Sequence, residues 1–595
     1  MKPVFRLAAA ACVSAALLNL CFVSPRAESD EPALVTREYS ARGLSTYEIL
    51  PGTRTNSIRD VLAPDRALTA TGDERPWDAW WMRDSGDEAR CWEGLDTALE
   101  EIAEFVGIED SVNVNVLSQS RFRMTGTEEA HKRMQWALQA MNDVSAARVN
   151  LAVYRVEGSF DSPIVPAAEV AARTRGARLV GTLAGGLGDP LVLQRTQHTS
   201  YVADIDMQLA TEAAIAEPQL STLNTGTEVV AGVLSLPDGS LWVQGWHAEM
   251  ALNQLRKRTS SVGELELPDT SYRYAPVSAE IENGGGVLLD CGDGNRLLLV
   301  ARCDRTVRDH EYTDADGTVY RLLNVAAALR GHGLADAWVM SPNSEQWLGD
   351  GRLPQVFFEP PVDGPYNDAA IMLCESINPD TLHMAVVGPY LGVRLRVLDA
   401  DIDGDAPQQQ HELAMINLHR APHAGVAVRV STFQLKDSTE LPAGLLLGRP
   451  SGADVAQLGK PTSVRLMASR TGQAIDQIDL RMIAMLRDYS SVTATGVASS
   501  DPTVGTLALG SQLRWVATHA DDGKLQIEMR AGVTVGPTEV ERVDPKDPHS
   551  IERSKTSLTQ IRVVDELAVG ERMAAISPAA GLDGELVVIV LERLK

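Results

Sequence analysis

Positive charge is scarce in this chain. Lys and Arg number 54 against 80 Asp and Glu, a formal net charge of −26. Nucleic-acid recognition needs basic patches, so that class of partner is excluded, as is charge-driven adhesion to an anionic bilayer. Cysteine is scarce too, with 6 in 595 residues. No CxxC or Cys/His spacing points to zinc. Catalytic signatures are also lacking: there is no GxSxG, HExxH, P-loop, or GxGxxG between a strand and a helix. An enzyme is therefore the less expected class. Beyond the N-terminus no apolar run approaches the roughly 18 residues that a membrane helix needs. Apolar residues make up 44% of the chain, enough for packed domains rather than wholesale disorder.

The N-terminus is different. Two basic residues, Lys2 and Arg6, precede an apolar stretch from Leu7 to Val23 broken only by Ser14 and Asn19, followed by Ser24-Pro25-Arg26-Ala27. This order reads as a secretory signal peptide over 1–27, which places the mature chain outside the cytoplasm. Pro25 and Arg26 before Ala27 keep open the alternative of a retained anchor. Cys21 follows Leu-Asn-Leu, a poor lipoprotein box, so no lipid anchor is expected. Four cysteines remain after processing, Cys91, Cys291, Cys303 and Cys374. An oxidising compartment permits two disulfides in three connectivities, and buried free thiols are equally compatible.

The strongest feature is a wide internal repeat. Glu217–Gln244 (EPQLSTLNTGTEVVAGVLSLPDGSLWVQ) returns at Asp501–Glu528 (DPTVGTLALGSQLRWVATHADDGKLQIE) without a gap, at a constant offset of 284, from 217 to 501. Pro218 falls on Pro502, Gly226 on Gly510, Asp238-Gly239 on Asp522-Gly523 and Leu241 on Leu525. Solenoid repeats recur every ~20–50 residues, so this spacing speaks for two related domains. Each segment reads as a β-hairpin: an apolar run after the glycine, an Asp-Gly turn, then alternation resumed. Gly226, Asp238 and Gly239, with Gly510, Asp522 and Gly523, are the expected turn-shaping residues.

Around the repeat the pattern is α+β. Ser111–Val156 reads as strand, turn, strand, helix, strand; Thr125 with Glu128 resembles a capping box, and Ala130, Met134, Ala137, Leu138 and Met141 share one helical face. Residues 28–75 read as polar and turn-rich, with one helix near Asn56–Leu62. Residues 149–304 and 424–595 read as β-rich, the first including alternating Val277, Ala279 and Ile281, then Asn283-Gly284-Gly285-Gly286 and Val287-Leu288-Leu289. Between them, 305–423 is expected to hold a helix at Tyr320–Arg330, a Pro-rich loop at Phe358–Tyr366 and strands near Met384–Val387 and Val393–Leu398. Asp544–Ser554, charged and Pro-containing, reads as an exposed loop.

Few residues suggest a site. Trp77, Trp80, Trp81 and Trp92 can form an aromatic platform for a glycan or partner, or a small core, the commoner fate of tryptophan. Asp399, Asp401 and Asp403 before Gly404 begin like a calcium loop, but Gln410 stands where a bidentate carboxylate is needed, so an acidic surface turn is the better reading. His419 and His423 are four apart, but Pro422 breaks the helix that would align them. No catalytic or cofactor residue is assigned.

The two β segments, the Val277–Asp290 run with its Gly-Gly, and the Ser111–Val156 unit together resemble the secretins, ring-forming outer-membrane components of type II and III secretion and type IV pilus systems. The resemblance implies small N-domain-like α/β units before secretin-type β-domains. It divides the chain into the signal peptide, an N-domain-like unit over 28–148, β-domain copy 1 over 149–304, a connecting region over 305–423 open to reading as a degenerate second N-domain, and β-domain copy 2 over 424–595. It departs from the family in having two β-domains, no Val-Pro-rich gate segment and no amphipathic membrane lip. The second copy reads Glu566-Leu-Ala-Val-Gly570 where the first has three glycines. The expected function is a non-enzymatic structural protein of the periplasm or outer membrane, acting by homo-oligomerisation or by docking envelope and secretion-system proteins, without cofactor. The rival readings are a monomeric periplasmic protein binding glycan or calcium, and a hydrolase whose acidic residues escape motif reading.

Overall fold

The computed structural model describes residues 33–40, most of 99–324 and most of 425–595, with four short strands between the last two stretches. The first unit is a three-stranded antiparallel sheet of β1 (Val35–Ser40), β2 (Asn113–Ser118) and β3 (Arg121–Gly126), ordered β1-β3-β2, with helix α1 (Glu128–Ala146) against it. Ala130, Met134, Ala137 and Leu138 of α1 are buried with Phe122 and Met124 of β3, as the helical periodicity requires. Two expectations need correcting here. The cap is Thr127, whose hydroxyl accepts the Ala130 amide at 3.2 Å, because Thr125 belongs to β3 and its hydroxyl bonds Thr36 at 2.8 Å. The stretch read as turn-rich contains β1, whose ladder is flanked by Glu38 accepting from Arg121 and Arg123, each at 2.7 Å.

The strand that follows, β4 (Val149–Val156), leaves this unit. It enters a sheet with β5 (Ile164–Val165), β6 (Arg178–Gly185), β11 (Gly286–Asp290) and β12 (Arg296–Cys303), ordered β5-β11-β12-β4-β6, with the short helix α2 (Ala167–Arg173) between β5 and β6. Four long strands intervene in the chain: β7 (Leu191–Ala210), β8 (Ala213–Ser235), β9 (Leu241–Thr259) and β10 (Glu264–Ile281). They run up and down with short connections, as antiparallel neighbours allow. Odd-numbered residues of β8 to β10 (Val229, Val233, Val243, Val277, Ala279) share a core with Val287, Leu289, Leu297 and Leu299 of the smaller sheet. Even-numbered ones (Val230, Trp246, Met250, Tyr272, Tyr274) fill the opposite face. The alternation is the period-2 geometry of a strand buried on both sides.

Beyond Cys303 the described strands are β13 (His310–Thr313), β14 (Val319–Asn324), the two-residue pair β15 (Val339–Met340) and β16 (Val356–Phe357), and β17 (Leu382–Val387) with β18 (Tyr390–Leu395). β13, β14, β18 and β17 form one sheet in that order. The helix expected from Tyr320 is therefore corrected to a strand over Val319–Asn324. Tyr320 and Leu322 are buried while Arg321 reaches out to Glu311 at 2.6 Å, an alternation that a helix would not give.

The last unit comprises β19 (Gly425–Lys436), helices α3 (Ala443–Leu446) and α4 (Gly452–Gln457), β20 (Ser463–Arg470), β21 (Ile475–Ala494), β22 (Val497–His519), β23 (Leu525–Val535), the short pair β24 (Glu541–Arg542) and β25 (Glu552–Arg553), then β26 (Ser557–Leu567), β27 (Arg572–Pro578) and β28 (Glu585–Arg593). Its small sheet, β20-β19-β28-β27, has the order of β6-β4-β12-β11. Its long strands start where the repeat places them: β7 at 191 and β21 at 475, β8 at 213 and β22 at 497, β9 at 241 and β23 at 525. Even the register shifts correspond, between Val202 and Asp204 in one hairpin and between Leu486 and Asp488 in the other. The turn closing β10 has Gly284 at φ 90 and that closing β26 has Gly570 at φ 84, so one left-handed glycine serves where the sequences otherwise differ.

Gly226 and Gly510 lie inside β8 and β22 rather than in turns, at φ 134 and 133. A Cβ on Gly510 would sit 2.2 Å from the Asp479 carbonyl oxygen of the adjacent strand. Gly510→Ala is therefore expected to cost about 3 kcal/mol or more, because the clash is with backbone, and Gly523→Ala, open around its Cβ, only about 1 kcal/mol. Urea denaturation of the two variants checks the order; equal midpoints would remove the close approach as its cause.

Candidate assembly surface

The two sets of long strands do not form separate sheets. β10 pairs antiparallel with β21 over Asp269–Tyr274, with Tyr272 opposite Leu480 and Arg273 opposite Asp479, giving one eight-stranded sheet ordered β26-β23-β22-β21-β10-β9-β8-β7. Charge reinforces the seam on both strands. Arg273 Nε donates to Asp479 Oδ1 at 3.4 Å, and Arg481 Nε donates to Asp269 Oδ1 at 3.0 Å. Burial pushes the Asp269 carboxyl up, but hydrogen bonds from Arg481 and Asn253 and the Arg481 charge outweigh it and leave it below the usual carboxylate range. The ion pair is thus made where one carboxylate is only 4% exposed, the setting in which losing its partner is costly.

A second polar joint lies beside the first. Buried Asp290, at the end of β11, accepts from Arg296 Nε at 3.0 Å, from the Gly292 amide at 3.0 Å and from the Leu466 amide of β20 at 3.3 Å, while Gln477 of β21 donates to its carbonyl. Leu466 is buried with Val156, Val165, Leu288 and Leu298 of the first small sheet. Pairing, ion pairs and apolar packing all join the two units across one line.

The stretch read as an exposed loop before β26 is tied down: Tyr489 Oη donates to the His549 carbonyl at 2.8 Å and Arg258 to the Ser550 carbonyl, beside a buried carboxylate. Glu552 is buried and meets Arg256 Nη1 at 3.1 Å and Arg258 Nε at 3.7 Å, and its Oε2 accepts the Leu486 amide at 3.0 Å. Burial pushes the Arg258 guanidinium down. The clasp thus binds the 541–553 excursion to β9 and β21. Glu552→Gln leaves both guanidiniums without their carboxylate and is expected to cost about 3 kcal/mol and to speed tryptic cleavage within 541–553; an unchanged cleavage pattern would show that the clasp does not hold the segment.

The expected turn residues are placed as follows. Gly239 takes φ 88 with its amide on the Leu236 carbonyl at 2.9 Å, and Asp238 Oδ1 accepts the Ser240 amide at 3.0 Å, an Asx arrangement. Gly523 takes φ 74, while Asp522 lies outside the described residues. Asp399, Asp401 and Asp403, the tryptophan cluster, His419 and His423 also lie outside them. Among the described residues no group of three His, Cys, Asp or Glu side chains is placed to hold a metal. Cys303 is a buried free thiol, so of the two readings of the cysteines the free thiol holds at this position; burial pushes its thiol up. Among the described residues no helix is long and apolar enough to cross a membrane.

Sequence reading missed the seam residues Asp269, Arg273, Asp479 and Arg481. The signal was present as acid and base spaced closely in both strands (DTSYR and DLR), but only pairing between distant strands makes it legible. It also missed His247 of β9, which is fully buried opposite Val229. Burial, with a smaller contribution from Arg155, pushes its imidazole down to about 3. A base depressed in the fold is neutral there while the unfolded chain titrates near ~6.5. The stability gained by keeping it neutral is therefore present above that pH and drains as pH falls towards about 3, by at most ~1.4 kcal/mol per pH unit. Urea midpoints at pH 7.5 and pH 5 should differ more for the wild type than for His247→Gln; an equal difference would mean that this imidazole is not held neutral.

No family model matches the chain, and none of the curated proteins matches it. Among solved structures it is similar to the InvG secretin-domain β-barrel of the Salmonella SPI-1 injectisome, at 10% identity and TM-score 0.21, covering 39% of this chain and 79% of that one. It is also similar to the ETEC pilotin–secretin AspS–GspD complex, at 9% identity and TM-score 0.19, covering 84% and 85%. With Aeromonas hydrophila ExeD the values are 7%, 0.19, 94% and 90%. The fold class is α+β, mainly antiparallel β, with secretins as its structural neighbours.

Proposed function

We propose that this chain is an exported, secretin-like structural protein of the bacterial envelope that works by self-association and by docking secretion or envelope proteins, without catalysing a reaction. The observation that supports it best is the seam: two matched sets of four strands already joined edge to edge, in one sheet whose end strands, β7 and β26, have no further strand paired to them among the described residues. An unpaired long edge is a template for another strand, and sheet augmentation is the contact mode it favours. We read the matched units as copies of one ancestral unit, over 149–304 and 424–595, preceded by an N-domain-like unit over 28–148. The negative balance of the chain fits a protein that meets other proteins rather than nucleic acid. Light scattering after size exclusion, with negative-stain images of the mature chain, is expected to give multi-chain rings or stacks. Single chains at every concentration would sink the scaffold reading, and calcium-dependent melting of those single chains would favour a binding protein instead.

A further inference from the structure

We propose that one face of the long sheet, over β22, β23 and β26, is a docking site for an acidic segment of a partner protein, with Arg514, Arg530 and Arg562 meeting its carboxylates. This rests on the docking part of the reading above and gives it a place and a chemistry. The three arginines form a row across neighbouring strands, Arg514 opposite Arg530 and Arg530 opposite Arg562. The same row in the first unit is Val230, Trp246 and Pro276, so each position that is apolar there is an arginine here. Val230 and Trp246 are buried, whereas the side chains of Arg530 and Arg562 are 45% and 63% exposed. Like charges set directly opposite one another across strands destabilise a sheet. Packing does not call for them on an exposed face, and a chain of net charge −26 does not need them for solubility. A negatively charged partner is what offsets their repulsion.

The row already takes one carboxylate from the chain itself. Glu528, in the next row between Val516 and Val564, accepts from Arg530 Nε at 2.6 Å and from Arg562 Nε and Nη2 at 3.0 and 3.2 Å. The hydrogen bonds from Arg562 and Arg530 outweigh burial and hold its carboxyl below the usual carboxylate range, so it stays charged. Three guanidiniums against this one carboxylate leave the row positive. On the other side of the row stand Gln512, Gly532 and Gln560, then Gly510, Thr534 and Leu558, none of them charged. Incoming acid therefore lies over Gly532, away from Glu528 and from Glu566 beyond it. Strands ~4.8 Å apart make the row about 10 Å long, and alternate side chains of an extended segment stand about 7 Å apart, so two of them reach across it. A compact phosphate drawn between Arg530 and Arg562 would meet Glu528 instead, which favours the extended acidic segment.

The test uses the whole chain and fluorescent ten-residue peptides that alternate valine with glutamate or with glutamine. Anisotropy is expected to show binding of the glutamate peptide alone, weakening as salt is raised. Arg530→Gln with Arg562→Gln should weaken it roughly tenfold or more, while Arg121→Gln with Arg123→Gln, which removes two charges from the N-domain-like sheet, should leave it unchanged. Equal losses in the two pairs would mean that only overall charge is read, and no binding at millimolar peptide would overturn the site. Arginine-dependent binding of inorganic phosphate or of phosphatidylglycerol vesicles, without the peptide, would overturn the acidic segment as its ligand. Thermal unfolding of the first pair is expected to stay at the wild-type temperature. If it falls, Arg514→Glu with Arg562→Glu decides: its preference should switch to a peptide alternating valine with lysine, and no switch counts against the site. Light scattering on the same samples separates the two readings. Single chains that bind the peptide through these arginines would end self-association and keep the site, and multimers that do not bind it would do the reverse.

Discussion

The pairing of β10 with β21 is the constraint on which the rest depends. It turns two four-stranded sets into one sheet, and it does so with a register that cannot slip cheaply. A shift by one residue would turn every side chain of a strand to the other face. Here it would also part Asp269 from Arg481 while the carboxylate remained buried. The apolar contact of Leu466 with the first small sheet and the hydrogen bonds gathered on Asp290 repeat the same restriction from the side.

The two units share backbone geometry more than chemistry. Trp246, Tyr272 and Tyr274 fill an apolar face in the first, and their counterparts in the second are Arg530, Leu558 and Gln560. In the second unit Arg514, Arg530 and Arg562 stand opposite one another across three strands, and the last two share Glu528. What matches is what the backbone requires: glycine at Gly226 and Gly510, Gly239 and Gly523, Gly284 and Gly570, each at positive φ. A strand face can be refilled with other side chains, but a left-handed position or a close crossing leaves little besides glycine.

This explains what was legible beforehand. The hairpins were visible because Asp-Gly turns and alternation are local signals. Helix α1 was visible because Ala130, Met134, Ala137 and Leu138 return at helical spacing. β1 was not, since Val35–Ser40 alternates polar with half-buried residues and is a strand only because β3 offers it an edge. Tyr320 onward read as helix because an alanine- and leucine-rich run follows it, yet Val319–Asn324 is held as a strand by β13 and β18. β4 was read both as the last strand of the Ser111–Val156 run and as the first of 149–304, and only its pairing with β12 and β6, later in the chain, decides between them.

By itself the sequence determined the paired hairpins, their spacing and the class of fold, because turn chemistry, side-chain periodicity and an ungapped repeat are written within short windows. Only the tertiary structure decided that the two sets share one sheet, that Asp269, Arg481, Arg273 and Asp479 meet, and that Glu552 is clasped by Arg256 and Arg258. Those contacts join residues about two to three hundred positions apart, and a strand's edge carries no mark of its partner until the chain has brought the two together.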